Sequence, residues 1–202
     1  PTSYHIYNGQ LEVGGAISTT GFTTSLYTGN GTVQNVVNSV DMSTQWGNDA
    51  SEKFGGLVWQ KSRTESNTGH RLVDTVRGTT NVVYSNATTA QTVESSSLTA
   101  FLSSGFVGGG ANITANGNTV VSWNFQTTHR KTGTTNHGKA YTEHYNPFTG
   151  FTIIKYEGSG LAGHEIPHSL GRKLGFVTVK NLSTATNWVC QYRDNNFLYL
   201  NS

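Results

Sequence analysis

The sequence is short of nearly everything that builds a helical or cross-linked protein. Its 202 residues hold one cysteine, one methionine and three prolines. The lone Cys190 cannot close an internal disulfide, which excludes a stapled scaffold. Charged residues make up 12%, about half the usual quarter, and the composition has none of the Ala/Glu/Lys/Leu richness of a bundle or coiled coil. The formal net charge of +2 is too weak and too scattered for a nucleic-acid surface. No run of about 18 apolar residues offers a membrane-spanning helix. No basic-then-apolar leader opens the chain.

What remains is glycine, at 24 residues, aromatics, at 11%, and abundant Ser, Thr and Asn. Aromatic and Thr-rich segments favour strands, and glycine and Asn favour turns, so the expected fold class is all-β. Asn8-Gly9, Asn30-Gly31 and Asn116-Gly117 read as hairpin dipeptides. Thr119 to Thr127 is the clearest strand. Val121, Trp123 and Phe125 alternate with Ser122, Asn124 and Gln126, which predicts a buried aromatic face and a wet polar face. Further strands are expected at Gly56–Lys61, Val82–Tyr84, Leu98–Leu102 and Gly105–Val107. One weak helical stretch is expected around Thr88–Ser97. Residues 128–150, rich in His, Lys and Arg and poor in aliphatics, read as a loop or linker.

An internal repeat organises the chain. Tyr27-Thr28-Gly29-Asn30-Gly31 resembles Tyr156-Glu157-Gly158-Ser159-Gly160. Gly56-Leu57-Val58-Trp59-Gln60-Lys61 resembles Gly175-Phe176-Val177-Thr178-Val179-Lys180, and Val83-Tyr84-Ser85-Asn86 resembles Leu198-Tyr199-Leu200-Asn201. The order is kept while the offset shrinks, as two diverged copies with different loops would give. The expected organisation is an N-terminal arm (1–21), a β-sandwich (22–127), a linker (128–150) and an incomplete second module (151–202). The second copy ends just past Asn201, so the chain is expected to be a piece of a longer protein or to be completed by another chain.

Motif-level chemistry is thin. His164-Glu165-Ile166-Pro167-His168 matches the zinc-protease pattern letter for letter, but that pattern works only on a helix, and Pro167 breaks one. A turn between strands is expected instead. Gly133-Thr134-Thr135-Asn136-His137-Gly138-Lys139 has phosphate-loop spacing, but Ala140 replaces the Ser/Thr that would hold magnesium. The seven histidines show no tight ligand pattern, and Cys190 has no partner base in view. No catalytic, metal or cofactor residues are therefore assigned. Trp59 and Trp123 lie in strand patterns and are expected in the core. Trp46, in a polar loop near Asp41, Asp49 and Glu52, is the candidate glycan contact. Tyr4, Ile6 and Tyr7 in the arm are candidate oligomer or particle contacts, because an extended segment can pair with a neighbour's strand.

Several segments together resemble modules of tailed-phage fibre and other virion surface proteins. They are Tyr27-x-Gly29-x-Gly31, the run Phe54 to Arg63, His70-Arg71-Leu72-Val73-Asp74-Thr75-Val76-Arg77-Gly78 and Tyr84-x-Asn86. Ser104-Gly105-Phe106, Asn116-Gly117 and Val121-x-Trp123-x-Phe125 follow in order. His144 to Phe151 and the run from Ile166-Pro167-His168-x-Leu170-Gly171 to Asn181 are similar to the module that often comes next.

The resemblance implies a lectin-like jelly-roll sandwich of the concanavalin or laminin-G kind and a non-enzymatic virion part. The expected protein is a tail fibre or spike that attaches to the host surface. Its expected partners are other virion proteins, copies of itself in a trimer, and a host-surface glycan. It is expected to be assembled in the host cytoplasm and to need no cofactor, no nucleic acid and no membrane insertion. The alternatives are a capsid decoration or head-fibre protein and a carbohydrate-binding module.

Overall fold

A computed structural model describes residues 5–7, 10–12, 21–43, 52–110, 113–192 and 196–201. None of them is helical. In chain order the strands are β1 (His5–Tyr7), β2 (Gln10–Glu12), β3 (Phe22–Thr28), β4 (Val33–Val37), β5 (Glu52–Ser62), β6 (Arg71–Asp74), β7 (Asn81–Tyr84) and β8 (Thr92–Val93). Then come β9 (Leu98–Leu102), β10 (Gly105–Gly109), β11 (Thr119–Thr134), β12 (Ala140–Asn146), β13 (Phe151–Tyr156), β14 (Phe176–Val179), β15 (Val189–Tyr192) and β16 (Asn196–Tyr199). All pair antiparallel. The architecture is an all-β sandwich, as the composition predicts.

One large sheet dominates, in the order β13-β12-β11-β5-β6-β7-β8, with β3 also pairing along β11. A second sheet, β4-β10-β9, packs on its inner side. Between them lie Val36, Val40, Met42, Val58, Val73, Val82, Leu98 and Phe106, with Tyr27, Tyr84 and Phe101 packed at the margin. Phe106 and Leu98 are fully buried, and a side chain of this kind contributes about 1.5–3 kcal/mol by leaving water. Gly31 and Gly117 both take φ of +80°, the left-handed conformation their Asn-Gly turns require. β14-β15-β16 form a separate three-stranded sheet.

Three expectations are corrected. The stretch 128–150 is mostly strand: β11 runs on to Thr134 and pairs with β12, which pairs with β13. Its polar residues hid this: Arg130, Lys131 and Thr132 stand exposed on the strand, and Glu143 and Asn146 are buried with hydrogen-bond partners rather than by aliphatic packing. The Thr88–Ser97 stretch holds the short β8 and turns, since Thr and Ser bond the local backbone more readily than they sustain a helix. The faces of β11 are also reversed. Ser122 and Asn124 are 0% exposed, Gln126 is 5% exposed, and Val121, Trp123 and Phe125 are only half-buried.

The reversal has a physical cause. The inner face meets the second sheet, and several of its polar side chains are bonded beneath it. The Asn124 side-chain amide donates to the Ser122 hydroxyl at 3.2 Å, and that of Gln126 to the Asp41 carbonyl at 3.0 Å. Arg71 bonds Glu94 at 3.4 Å, and Glu94 accepts from the Tyr84 hydroxyl. Burial pushes the Tyr27 hydroxyl well above its ordinary pKa, and Tyr84 is raised by burial and its bond to Glu94.

Candidate functional site

Phe22, Trp59, Trp123, Phe125 and Phe151 gather on the outer face of the large sheet. Register places Trp123 opposite Trp59 and Thr24, and Phe125 opposite Leu57 and Phe22. Trp59 and Trp123 meet edge to face at 5.8 Å. Phe125 lies between Phe22, at 4.8 Å, and Phe151, stacked at 4.9 Å. Offset and edge contacts of this kind contribute about 0.5–1.5 kcal/mol beyond their buried area.

Next to this row the C-terminal segment docks. Trp188 is 5% exposed and packs on Leu72 and Val83. Its indole N–H donates to the Tyr84 carbonyl at 2.8 Å. Backbone bonds from Gln91 to Leu182 (3.0 Å) and from Thr186 to Thr88 (2.9 Å) complete the seam. Lys180 donates to the carbonyls of Thr88, at 3.0 Å, and Thr186, at 2.9 Å. Burial lowers the pKa of its ammonium.

The docked segment leaves a cleft of about 1010 Å³ between itself, the large sheet and the β12–β13 hairpin. Leu57, Leu72, Val83 and Phe151 give it an apolar lining, and Thr152, Lys155, Tyr156, Lys180, Asn181 and Ser183 add polar groups. Such a mixture suits a ligand with both apolar and hydroxyl-rich surfaces. The two acids lining it are already engaged. The Asp74 carboxylate accepts from Arg77 Nε at 2.6 Å and from the backbone N–H groups of Val76 and Arg77, at 3.0 and 2.9 Å. Glu157 pairs with Lys139 at 2.7 Å. The run from His70 to Gly78 is thus strand β6 followed by a tight turn that the Asp74 carboxylate closes.

A second polar feature escapes sequence reading. Glu143 is fully buried on β12. Its carboxylate accepts from the Thr152 hydroxyl at 2.9 Å, the Ser169 hydroxyl at 2.7 Å and the Ser169 N–H at 2.8 Å. It thereby clamps the excursion after β13 onto the sheet. Nearby, the rings of His137 and His164 stack in parallel at 5.0 Å. His137 bonds the Ser159 hydroxyl at 2.9 Å, and His164 bonds the Thr135 hydroxyl at 2.7 Å.

The zinc-protease letters at 164–168 form no helix. Among the described residues no group of three or more His, Cys, Asp or Glu could hold a metal. The phosphate-loop letters are the end of β11 and a turn into β12, closed by Thr135 N–H to the Lys139 carbonyl at 2.8 Å. Cys190 is fully buried, its sulfur 3.2 Å from the Thr178 hydroxyl. Trp59 and Trp123 stand on the outer face, not in the sandwich core. Trp46 and Tyr4 lie outside the described residues. Ile6 and Tyr7 are in β1, whose backbone pairs them with Leu11 and Gln10.

A family model, described as a domain of unknown function (DUF7483), matches residues 17–201. The chain belongs to this family. The DUF7483 match spans the sandwich, the β12–β13 hairpin and the docked C-terminal sheet, so every described wall of the cleft falls within the family's own domain. No curated protein and no solved structure matches the chain.

Proposed function

We propose that this DUF7483 chain is a non-enzymatic part of a tailed-phage virion surface, a fibre or spike module that attaches to the host, and that its cleft receives a host-surface glycan. The observation that carries the reading is the cleft. Tyr156 lines it with 37% of its surface exposed, beside Thr152, Asn181 and Ser183. Rings of this kind stack on sugar faces while the polar groups bond hydroxyls. Binding rather than cleavage is favoured because glycoside hydrolysis uses a pair of free carboxyl groups, and Asp74 and Glu157 are both held in ion pairs. The resemblance to virion surface modules supplies the setting, including the trimer and the other virion proteins as partners.

Calorimetric titration with host-surface polysaccharide tests the cleft. Binding that weakens at least about tenfold in Tyr156→Ala, equivalent to about 1.4 kcal/mol, supports the reading. Unchanged binding in that variant sinks the cleft assignment, and shortened glycan products sink the non-enzymatic claim. Antibody labelling of intact particles tests the location. Label at the tail supports the fibre, and label over the capsid lattice replaces it with a decoration role.

A further inference from the structure

The cleft carries an imbalance of charge. Its charged lining is Asp74, Arg77, Lys155, Glu157 and Lys180. Arg77 neutralises Asp74 at 2.6 Å, and Lys139 neutralises Glu157 at 2.7 Å. Lys155 and Lys180 are left over, because no ion pair among the described residues includes either. They stand on opposite walls. Alternation along β13 puts Lys155 on the same face as Phe151 and Ile153. Lys180 follows β14 on the docked segment.

The hydrogen-bonding groups are unequal in the same sense. An ammonium carries three donors. Two from Lys180 point to the carbonyls of Thr88 and Thr186, which leaves one. Beside it, Asn181 Oδ1 accepts from the backbone N–H groups of Ser183, at 2.9 Å, and Thr184, at 3.1 Å. Those two bonds fix which way the carboxamide points, so Nδ2 keeps its two donors. The carboxylates of the lining are committed elsewhere: Asp74 accepts from Val76 and Arg77, and Glu157 from Lys139. The cleft is therefore rich in spare donors and positive charge. Burial lowers the pKa of Lys180, and an anion beside it would offset that loss of water. Hydrogen bonds to an ionised acceptor are also about twice as strong as neutral ones.

We infer that the glycan received by this cleft is acidic, with its carboxylates bound by Lys155 on one wall and by Lys180 and Asn181 on the other. The inference rests on the glycan reading and names the class of polymer, one containing uronate-type sugars.

Calorimetric titration of the full chain with two forms of one ligand tests it. One is the host-surface polysaccharide. The other is the same polysaccharide with its carboxyl groups reduced to primary alcohols. The native form is expected to bind at least about tenfold more tightly at low salt, a difference of about 1.4 kcal/mol. The gap should close near 1 M salt, where the Debye length is about 3 Å. Two variants test the residues. Lys155→Gln removes a charge that no ion pair holds. Asn181→Asp keeps the acceptor oxygen that the Ser183 and Thr184 N–H groups need and replaces the spare donors with a negative charge. Both are expected to keep wild-type circular dichroism and to bind the two forms within about threefold of each other. Equal affinity of the wild type for both forms, or tight binding of a host polysaccharide that bears no carboxyl group, overturns the inference and leaves the glycan reading standing. Variants that still favour the native form as strongly as the wild type also overturn it. Failure of the wild type to bind either form ends both.

Discussion

The repeat aligns two three-stranded meanders, and they differ in what covers them. β5-β6-β7 and β14-β15-β16 have the same order and the same antiparallel sense. The first is covered on both faces: Val58, Val73 and Val82 meet the second sheet, and Leu72 and Val83 meet Trp188. In the second, Phe176, Phe197 and Leu198 are at least half exposed. Similar strand sequences therefore fix local pairing in both places, while burial depends on which other elements reach each sheet. A strand's apolar letters state a demand for cover and do not supply it.

Unfolding energies offer the largest test of that contrast. Phe106→Ala, in the covered interior, should cost about 3–5 kcal/mol in urea unfolding. Phe197→Ala, measured on dilute protein, should stay within about 0.5 kcal/mol of wild type. Equal losses would mean that the second meander is as enclosed as the first. Trp188→Ala should come next, at about 3 kcal/mol, because its indole is the buried link between the meanders. Hydrogen exchange should then show protection lost over 176–199 while 71–84 keeps most of its own. Uniform loss over both would show a single cooperative unit.

The smallest expected effect is a pH response at the covered meander. Burial, and secondarily the Lys61 charge, hold the His70 imidazole below its ordinary pKa. Below about pH 6.5 the unfolded chain takes up a proton that the folded chain resists, so stability falls as the solution is acidified. His70→Gln should flatten this slope between pH 7.5 and 5.5. An unchanged slope would assign the acid sensitivity to other groups.

Much of the fold was legible from local chemistry. The strands around Trp59, Tyr84, Phe106 and Trp123 lie where alternation and turn residues put them, because those signals act over a few neighbours. The faces of β11 were not legible. Alternation identifies two faces but does not say which one a distant sheet covers, and the side-chain amides of Asn124 and Gln126 donate to Ser122 and Asp41 on the covered side. Strand β12 escaped for the same reason, with Glu143 satisfied by residues 9 and 26 positions away. The cleft is assembled from segments between Leu57 and Trp188, so no short motif announces it. Only the repeat hinted that the C-terminal strands form a unit of their own.

The 16 residues of β11 have a mechanical meaning. At about 3.4 Å per residue the strand runs on the order of 50 Å. It is bonded along one side to β5 and along the other to β3 and then β12. Antiparallel bonds lie across the strand direction, so tension along β11 loads many of them side by side, in shear, instead of opening them one after another. The strand is the tie-rod of the molecule, and a pull transmitted through it meets the summed resistance of both flanks.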